Sequence, residues 1–224
     1  MFFIDNNSDK NLLILGDSSV ISINQNIIQN NQLSSYNIYF VSIVGTEFFK
    51  LFDFDQNCKN CWLNWIKNNP STIIFSIEMH NFLEVGGYYN TIYYEESNSE
   101  IFQANMRKLS SFTKELYILE PFPTTSYTSD FRNFINVDSK NIINEIYVPF
   151  KHWKENTKIT TELLEKLESS SDLQVIQTKD LFCRRQENKC FIYNNNKLFY
   201  YDPAHLSLTG SSLIINQIKL VLDK

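Results

Sequence analysis

Five short apolar runs are spread along the chain: LLIL at 12–15, IYFVSIV at 38–44, TIIFSI at 72–77, LYIL at 116–119 and LQVI at 173–176. Each is as long as a buried strand, and continuous apolar character without alternation suits a parallel sheet covered on both faces. Between them lie stretches of helix formers, EIFQANMRKLSSFTKEL from Glu100 to Leu116 and TTELLEKLESS from Thr160 to Ser170. Thr160 or Thr161 is placed to cap the second, with Glu162 and Glu165 near its positive end. The final stretch, SLTGSSLIINQIKLVLDK, carries Leu208, Leu213, Ile214, Ile218, Leu220 and Leu222 and predicts a closing amphipathic helix. Asn194 to Asn196, between FIY and LFYY, predicts a hairpin tip. Strands alternating with helices define the α/β class, as a three-layer αβα sandwich.

Length and charge narrow the function. A chain of 224 residues can bury a sizeable core, and one domain spanning 1–224 is the expectation. With a formal charge of −5 and its Lys and Arg residues scattered, the chain offers no basic stripe for phosphates, which argues against nucleic acid as a partner. No apolar run approaches the ~20 residues of a membrane span, and MFFIDNNSDK lacks the charge pattern of a signal peptide. The expectation is a soluble piece, compatible with a larger membrane-bound parent.

Four cysteines fall in two local pairs, Cys58 with Cys61 and Cys183 with Cys190. Two short-loop disulfides in an oxidising compartment compete here with a zinc site built from all four thiolates. The wider second spacing and its charged loop, CRRQENKC, favour disulfides and hence an extracellular, periplasmic or lumenal setting. The Asn6-Asn7-Ser8 sequon is compatible with that setting.

Candidate chemistry begins in NLLILGDSSV, Asn11 to Val20, where an aliphatic run stops at Gly16, Asp17 and two serines. All three residue types suit a surface turn. In a doubly wound sheet, however, ligands bind beyond the carboxyl ends of the strands, which is where Ser18 would stand. A hydroxyl needs a base to become a nucleophile. Among His80, His152 and His205, the last stands out because Asp202 precedes it by three residues in YYDPAHLSLTG. A turn begun by Asp-Pro can bring carboxylate and imidazole together, fixing one ring tautomer and leaving the other nitrogen for a serine proton. Ser18, Asp202 and His205 then form a candidate triad.

ILGDSSV together with DPAHLSLTG resembles the SGNH (GDSL-type) hydrolase superfamily. LYILEPFP at 116–123 and DLFCRRQENKCFIYNNNKLFYYDPAHLSLTGSSLI at 180–214 resemble more closely the SGNH domain fused to membrane acyltransferases that O-acylate surface carbohydrates. There a Cys pair, a hairpin ending in Tyr, and Asp-x-x-His-Leu-Ser-x-x-Gly follow in that order. This resemblance implies a three-layer fold around a five-stranded parallel sheet and an acyl-serine intermediate. It implies Ser18 as nucleophile, His205 as general base then acid, and Asp202 as its orienting partner. It further implies an oxyanion hole from the Ser18 backbone N–H, a Gly after the second strand and an Asn after the third. Gly45 and Asn81 occupy those two places, although TIIFSIEMHN departs from the superfamily's Gly-x-Asn-Asp. Neither metal nor cofactor is implied.

Other residues have plainer readings. His80 with Glu78 and Glu84 gives poor metal geometry and reads as a hydrogen-bonded loop histidine. His152 and Trp153, in PFKHWKEN, read as packing residues. Tyr88, Tyr89, Tyr93 and Tyr94 beside Gly86 and Gly87 suit either a sugar-stacking platform or ordinary edge packing. The leading expectation is serine-dependent O-acyl transfer, of acetyl above all, from an acyl donor to a carbohydrate, as the soluble domain of a membrane acyltransferase. The alternatives are a free-standing carbohydrate or lipid esterase, and a silent SGNH-like module that binds glycans or a partner.

Overall fold

A computed structural model of the chain describes residues 2–42, 61–69, 71–76, 98–123, 145–170, 173–202 and 205–224, with backbone alone for 61–63. Strand β2 (Asn11–Gly16) forms the centre of a sheet, paired in parallel with β3 (Asn37–Ser42) on one side and β4 (Thr72–Ser76) on the other. Beyond β4 follow β5 (Glu115–Leu119) and β7 (Gln174–Ile176), also parallel. The predicted five parallel strands are therefore present, and a short antiparallel strand, β1 (Phe2–Ile4), extends the sheet beyond β3.

The alternation of a strand's side chains separates the two faces of the sheet. Leu12 and Ile14 join a core with Ile23 and Ile27 of helix α1 (Ile21–Asn30) and Ile214, Ile215 and Ile218 of α7 (Leu208–Leu222). Leu13 and Leu15 join a second core with three helices. These are α2 (Cys61–Asn68) through Ile66, α3 (Asn98–Ser110) through Phe102, Met106 and Leu109, and α5 (Lys158–Ser169) through Leu163, Leu164 and Leu167. All four β2 side chains are at most 1% exposed, and burying each contributes about 1.5–3 kcal/mol. That two-sided burial is why LLIL is uniformly apolar. The three-layer sandwich follows directly.

Two expected helix starts and ends shift. The helix expected over Glu100–Leu116 stops at Ser110, because Glu115–Leu119 pairs with β4, and tertiary pairing overrides local helix propensity there. Helix α5 begins at Lys158, directly after α4 (Phe150–Asn156), so Thr160 and Thr161 lie inside it and cap nothing. Thr160 is instead fully buried.

A second, antiparallel sheet was not visible in the apolar pattern. It is formed by β6 (Glu145–Pro149), β8 (Cys183–Arg184), β9 (Lys189–Asn194) and β10 (Lys197–Leu198). Asn195 and Asn196, both with positive φ, turn the β9–β10 hairpin as expected. Cys183 and Cys190 are register partners on β8 and β9 and are disulfide-bonded. Cys58 lies outside the described residues, as does the side chain of Cys61.

The end of β5 is tied to the chain after β7 by one buried carboxylate. Glu120 is 2% exposed and accepts hydrogen bonds from the backbone N–H of Thr178 (3.0 Å) and Lys179 (3.1 Å) and from Lys179 Nζ (2.5 Å). The Thr178 hydroxyl returns a bond to the Glu120 carbonyl at 2.9 Å. A buried charge persists only when paired and hydrogen-bonded in this way, here at the start of short helix α6 (Lys179–Phe182).

Candidate active site

The parallel strands run in the order β3-β2-β4-β5-β7, so the chain leaves β2 toward one side first and the other side later. Ligands of doubly wound sheets bind at such a switch point, which here lies beyond the carboxyl ends of β2 and β4. Gly16 closes β2 at that point. A Cβ on Gly16 would lie 2.0 Å from the Ser76 carbonyl oxygen at the end of β4 and 2.7 Å from Val20 Cγ1, so only glycine lets the two strand ends approach this closely.

The next residues are locked to the same strand end. The Asp17 N–H donates to the Ser76 carbonyl at 3.3 Å, and Ser19 Oγ lies 3.2 Å from Ser76 Oγ. Asp17 Oδ1 accepts the Ser19 N–H at 2.9 Å, capping a 3-10 turn over Ser18–Val20 that leads into α1. Ser19 is 1% exposed and Ser76 3%, whereas Ser18 between the two fixed neighbours is exposed. The Gly-Asp-Ser-Ser corner thus buries one serine as an anchor and turns the other outward. Ser76 was not a candidate in the sequence; its only signal was a polar residue ending an apolar strand.

Asp202 and His205 stand just before the start of α7. Tyr200 and Leu206, both fully buried, form an antiparallel bridge, and the Tyr201 N–H donates to the His205 carbonyl at 3.1 Å. Between those anchors, His205 Nδ1 lies 2.7 Å from Asp202 Oδ2 and 2.9 Å from Oδ1, and the His205 backbone N–H donates to Oδ1 at 2.8 Å. A carboxylate only accepts, so Nδ1 carries a proton, and in the neutral ring the lone pair is on Nε2. The Tyr201 ring stacks on the imidazole with centroids 5.6 Å apart and 13° between planes. Burial, then the Asp202 charge, raises the Tyr201 pKa, so the ring stays a neutral phenol.

The residues after His205 explain the rest of the motif. Ser207 caps α7, accepting the Gly210 N–H at 3.1 Å, and its own N–H donates to the Phe199 carbonyl at 2.8 Å. A Cβ on Gly210 would stand 2.2 Å from that Phe199 oxygen. His-Leu-Ser-x-x-Gly is therefore one buried anchor, one cap and one close approach that together fix where His205 stands.

Helices α1 and α7 are joined by hydrogen bonds. Buried Asn26 of α1 directs its amide nitrogen at the Leu208 carbonyl (2.7 Å), Ser211 Oγ (2.9 Å) and Ser212 Oγ (2.7 Å). Tyr36, beyond the end of α1, donates to the Leu222 carbonyl at 3.5 Å at the far end of α7. The helices run side by side in one direction, and the segments entering them carry Ser18 and His205.

Gly45, Asn81, His80, Glu78, Glu84 and the tyrosines at 88, 89, 93 and 94 lie outside the described residues. His152 is exposed on α4, while Trp153 beside it is 7% exposed and donates from Nε1 to the Pro121 carbonyl at 3.2 Å, a packing role as expected. Among the described residues no group of three or more His, Cys, Asp or Glu side chains could hold a metal ion, and no helix is long and apolar enough to cross a membrane.

Residues 3–219 match the family model described as the SGNH domain fused to AT3 domains, and the chain belongs to that family. Among solved structures it is similar to the acetyl xylan esterase AlAXEase, with a TM-score of 0.54 and 12% identity over 94% of this chain and 99% of that one. It is also similar to a catalytic mutant of an acetylxylan esterase from Geobacillus stearothermophilus, with a TM-score of 0.53 and 9% identity over 95% of this chain and 94% of that one. At such identities the likeness concerns the fold. No curated protein matches the sequence.

Proposed function

We propose that this chain transfers an O-acyl group, of which acetyl is the simplest, to a carbohydrate through an acyl-serine intermediate. The observation that carries the reading is the Asp202–His205 pair, with Nδ1 bound to the carboxylate at 2.7 Å and Nε2 left as a base, on the segment that enters α7 beside α1. Family membership and the fold shared with two acetylxylan esterases support the acyl and carbohydrate assignment.

Ser18 Oγ attacks the carbonyl carbon of the acyl donor as its proton passes to His205 Nε2. The negative charge on the carbonyl oxygen requires donors fixed in advance, for which we assign the Ser18 N–H, Gly45 and Asn81. His205 then returns its proton to the leaving oxygen as the donor's ester bond breaks, leaving the acyl group on Ser18. A sugar hydroxyl gives its proton to Nε2 and attacks in turn; as the acyl–Oγ bond breaks, Nε2 passes that proton to Ser18 Oγ and the hydroxyl is regenerated. Asp202 holds the imidazole in the required tautomer and stabilises the imidazolium between the steps.

The AT3 fusion in the family's description supports a setting beside a membrane acyltransferase domain that supplies the acyl donor. The Cys183–Cys190 disulfide supports an extracellular, periplasmic or lumenal face. A second reading, hydrolysis by a free-standing esterase, is favoured by the esterase neighbours; it differs only in water replacing the sugar.

The test is labelling by a fluorophosphonate probe and turnover of p-nitrophenyl acetate by the native chain and Ser18→Ala, followed by mass spectrometry of added sugars. Probe labelling lost in the variant, with acetylated sugar from the native chain, is the expected result. Labelling that survives the substitution removes Ser18 from its role, and release of free acetate alone selects the esterase reading.

A further inference from the structure

Tyr201 is a large aromatic residue left 49% exposed, while its neighbour Tyr200 is fully buried. The Tyr201 side chain meets the imidazole of His205. Its ring lies nearly parallel to the His205 imidazole, at 13° and 5.6 Å between centroids, and its backbone N–H holds the His205 carbonyl at 3.1 Å. The same residue thus grips both the main chain and the ring face of His205.

Asp202 cannot do this alone. Nδ1 is almost equidistant from the two carboxylate oxygens, at 2.7 and 2.9 Å, which fixes the direction in which that nitrogen points. The ring turns about its Cα–Cβ and Cβ–Cγ bonds, and hydrogen bonds at one nitrogen restrain that pivot without holding it rigid. Pivoting swings Nε2 away from any fixed target. A stacked aromatic face opposes this pivot, because tilting the ring gives up the parallel contact.

Resting on the serine-hydrolase reading above, we propose that Tyr201 is a positioning residue for His205. Its ring holds the plane of the imidazole so that Nε2 faces the Ser18 hydroxyl, while Asp202 holds the edge. The phenolic oxygen has no part in this; the aromatic face is what acts. The rival role for a half-exposed tyrosine at this place is a platform on which a sugar ring stacks, which would act on substrate binding and not on the proton transfer.

The two roles separate in steady-state kinetics of the full chain with p-nitrophenyl acetate, a substrate without a sugar. Tyr201→Phe is expected to keep kcat within about twofold of native, and Tyr201→Leu to lower kcat about tenfold at unchanged KM, as befits a misaligned base. Unchanged kcat in Tyr201→Leu overturns the proposal, as does a rise in KM alone. A second readout needs no turnover: proton NMR of the His205 imidazole, assigned by comparison with His205→Gln. The native chain and Tyr201→Phe are expected to show the ring C–H signals displaced upfield by the stacked ring current, and Tyr201→Leu to lose the displacement. Identical His205 signals in native and Tyr201→Leu chains also overturn it. If the signals move as expected but the native chain neither turns over nor labels, the catalytic reading fails while Tyr201's hold on the imidazole stands.

Discussion

The carboxylate of Asp202 accepts from two donors of His205, Nδ1 at 2.7 and 2.9 Å and the backbone N–H at 2.8 Å, within a loop whose ends are bridged by Tyr200 and Leu206. An Asn at position 202 would keep the shape but carry no charge, and its amide could present a donor to Nδ1 and so select the wrong tautomer. Under the proposed mechanism Asp202→Asn lowers kcat for p-nitrophenyl acetate by roughly ten-thousandfold. The side chains of His205 and Asp202 are 24% and 33% exposed, so thermal unfolding should move little.

Gly16→Ala tests the close approach of β2 and β4. With a backbone oxygen 2.0 Å from the added Cβ, the strand ends must part, at a cost of about 1–3 kcal/mol in urea unfolding. Gly210→Ala meets the Phe199 carbonyl at 2.2 Å and should also destabilise. There alanine's helix preference, about 1 kcal/mol over glycine, works in the opposite direction and leaves a smaller net loss.

Glu120→Ala removes the acceptor shared by Thr178, Lys179 N–H and Lys179 Nζ. Lys179 is only 18% exposed, and leaving one member of a buried pair alone typically costs about 3–5 kcal/mol. A change in urea unfolding free energy below 1 kcal/mol would show that water replaces the carboxylate.

Reduction of Cys183–Cys190, whose partners are 7 residues apart, should lower stability by about 2–3 kcal/mol through restored chain entropy. Urea unfolding with and without dithiothreitol, compared with the double variant Cys183→Ala/Cys190→Ala, checks this.

Alkaline pH should unfold the chain. Burial foremost raises the pKa of Tyr36, Tyr39, Tyr117 and Tyr201, with carboxylates adding to it: Glu115 beside Tyr36 and Tyr117, Asp5 beside Tyr39 and Asp202 beside Tyr201. In the unfolded chain these phenols lose protons near the usual tyrosine value of about 10, before the folded ones do. The folded state therefore holds more protons, and stability is complete below about pH 10 and declines as pH rises through the folded values. Circular dichroism followed alongside tyrosinate absorbance should show the two transitions coincide.

Much of this was legible in the residue order. Runs such as LLIL suited strands buried on both sides, because four consecutive large aliphatics between polar stretches leave neither face of a short extended segment for water. Gly-Asp-Ser and Asp-x-x-His-Leu-Ser-x-x-Gly were visible because caps, tight turns and close backbone approaches are local demands that few residue types meet. Three-dimensional pairing alone decided the rest. Helix formers up to Leu116 gave way to strand β5 because a neighbouring strand was there to bind them. The roles of Ser76, Asn26 and Glu120 were not legible, since a serine at a strand end or a glutamate after one has meaning only once its partner is known. Those partners lie 57 residues away for Ser19 with Ser76, 58 for Glu120 with Thr178 and 182 for Asn26 with Leu208. Local stereochemistry is written in neighbouring residues, but a hydrogen bond between distant ones exists only after the layers have packed.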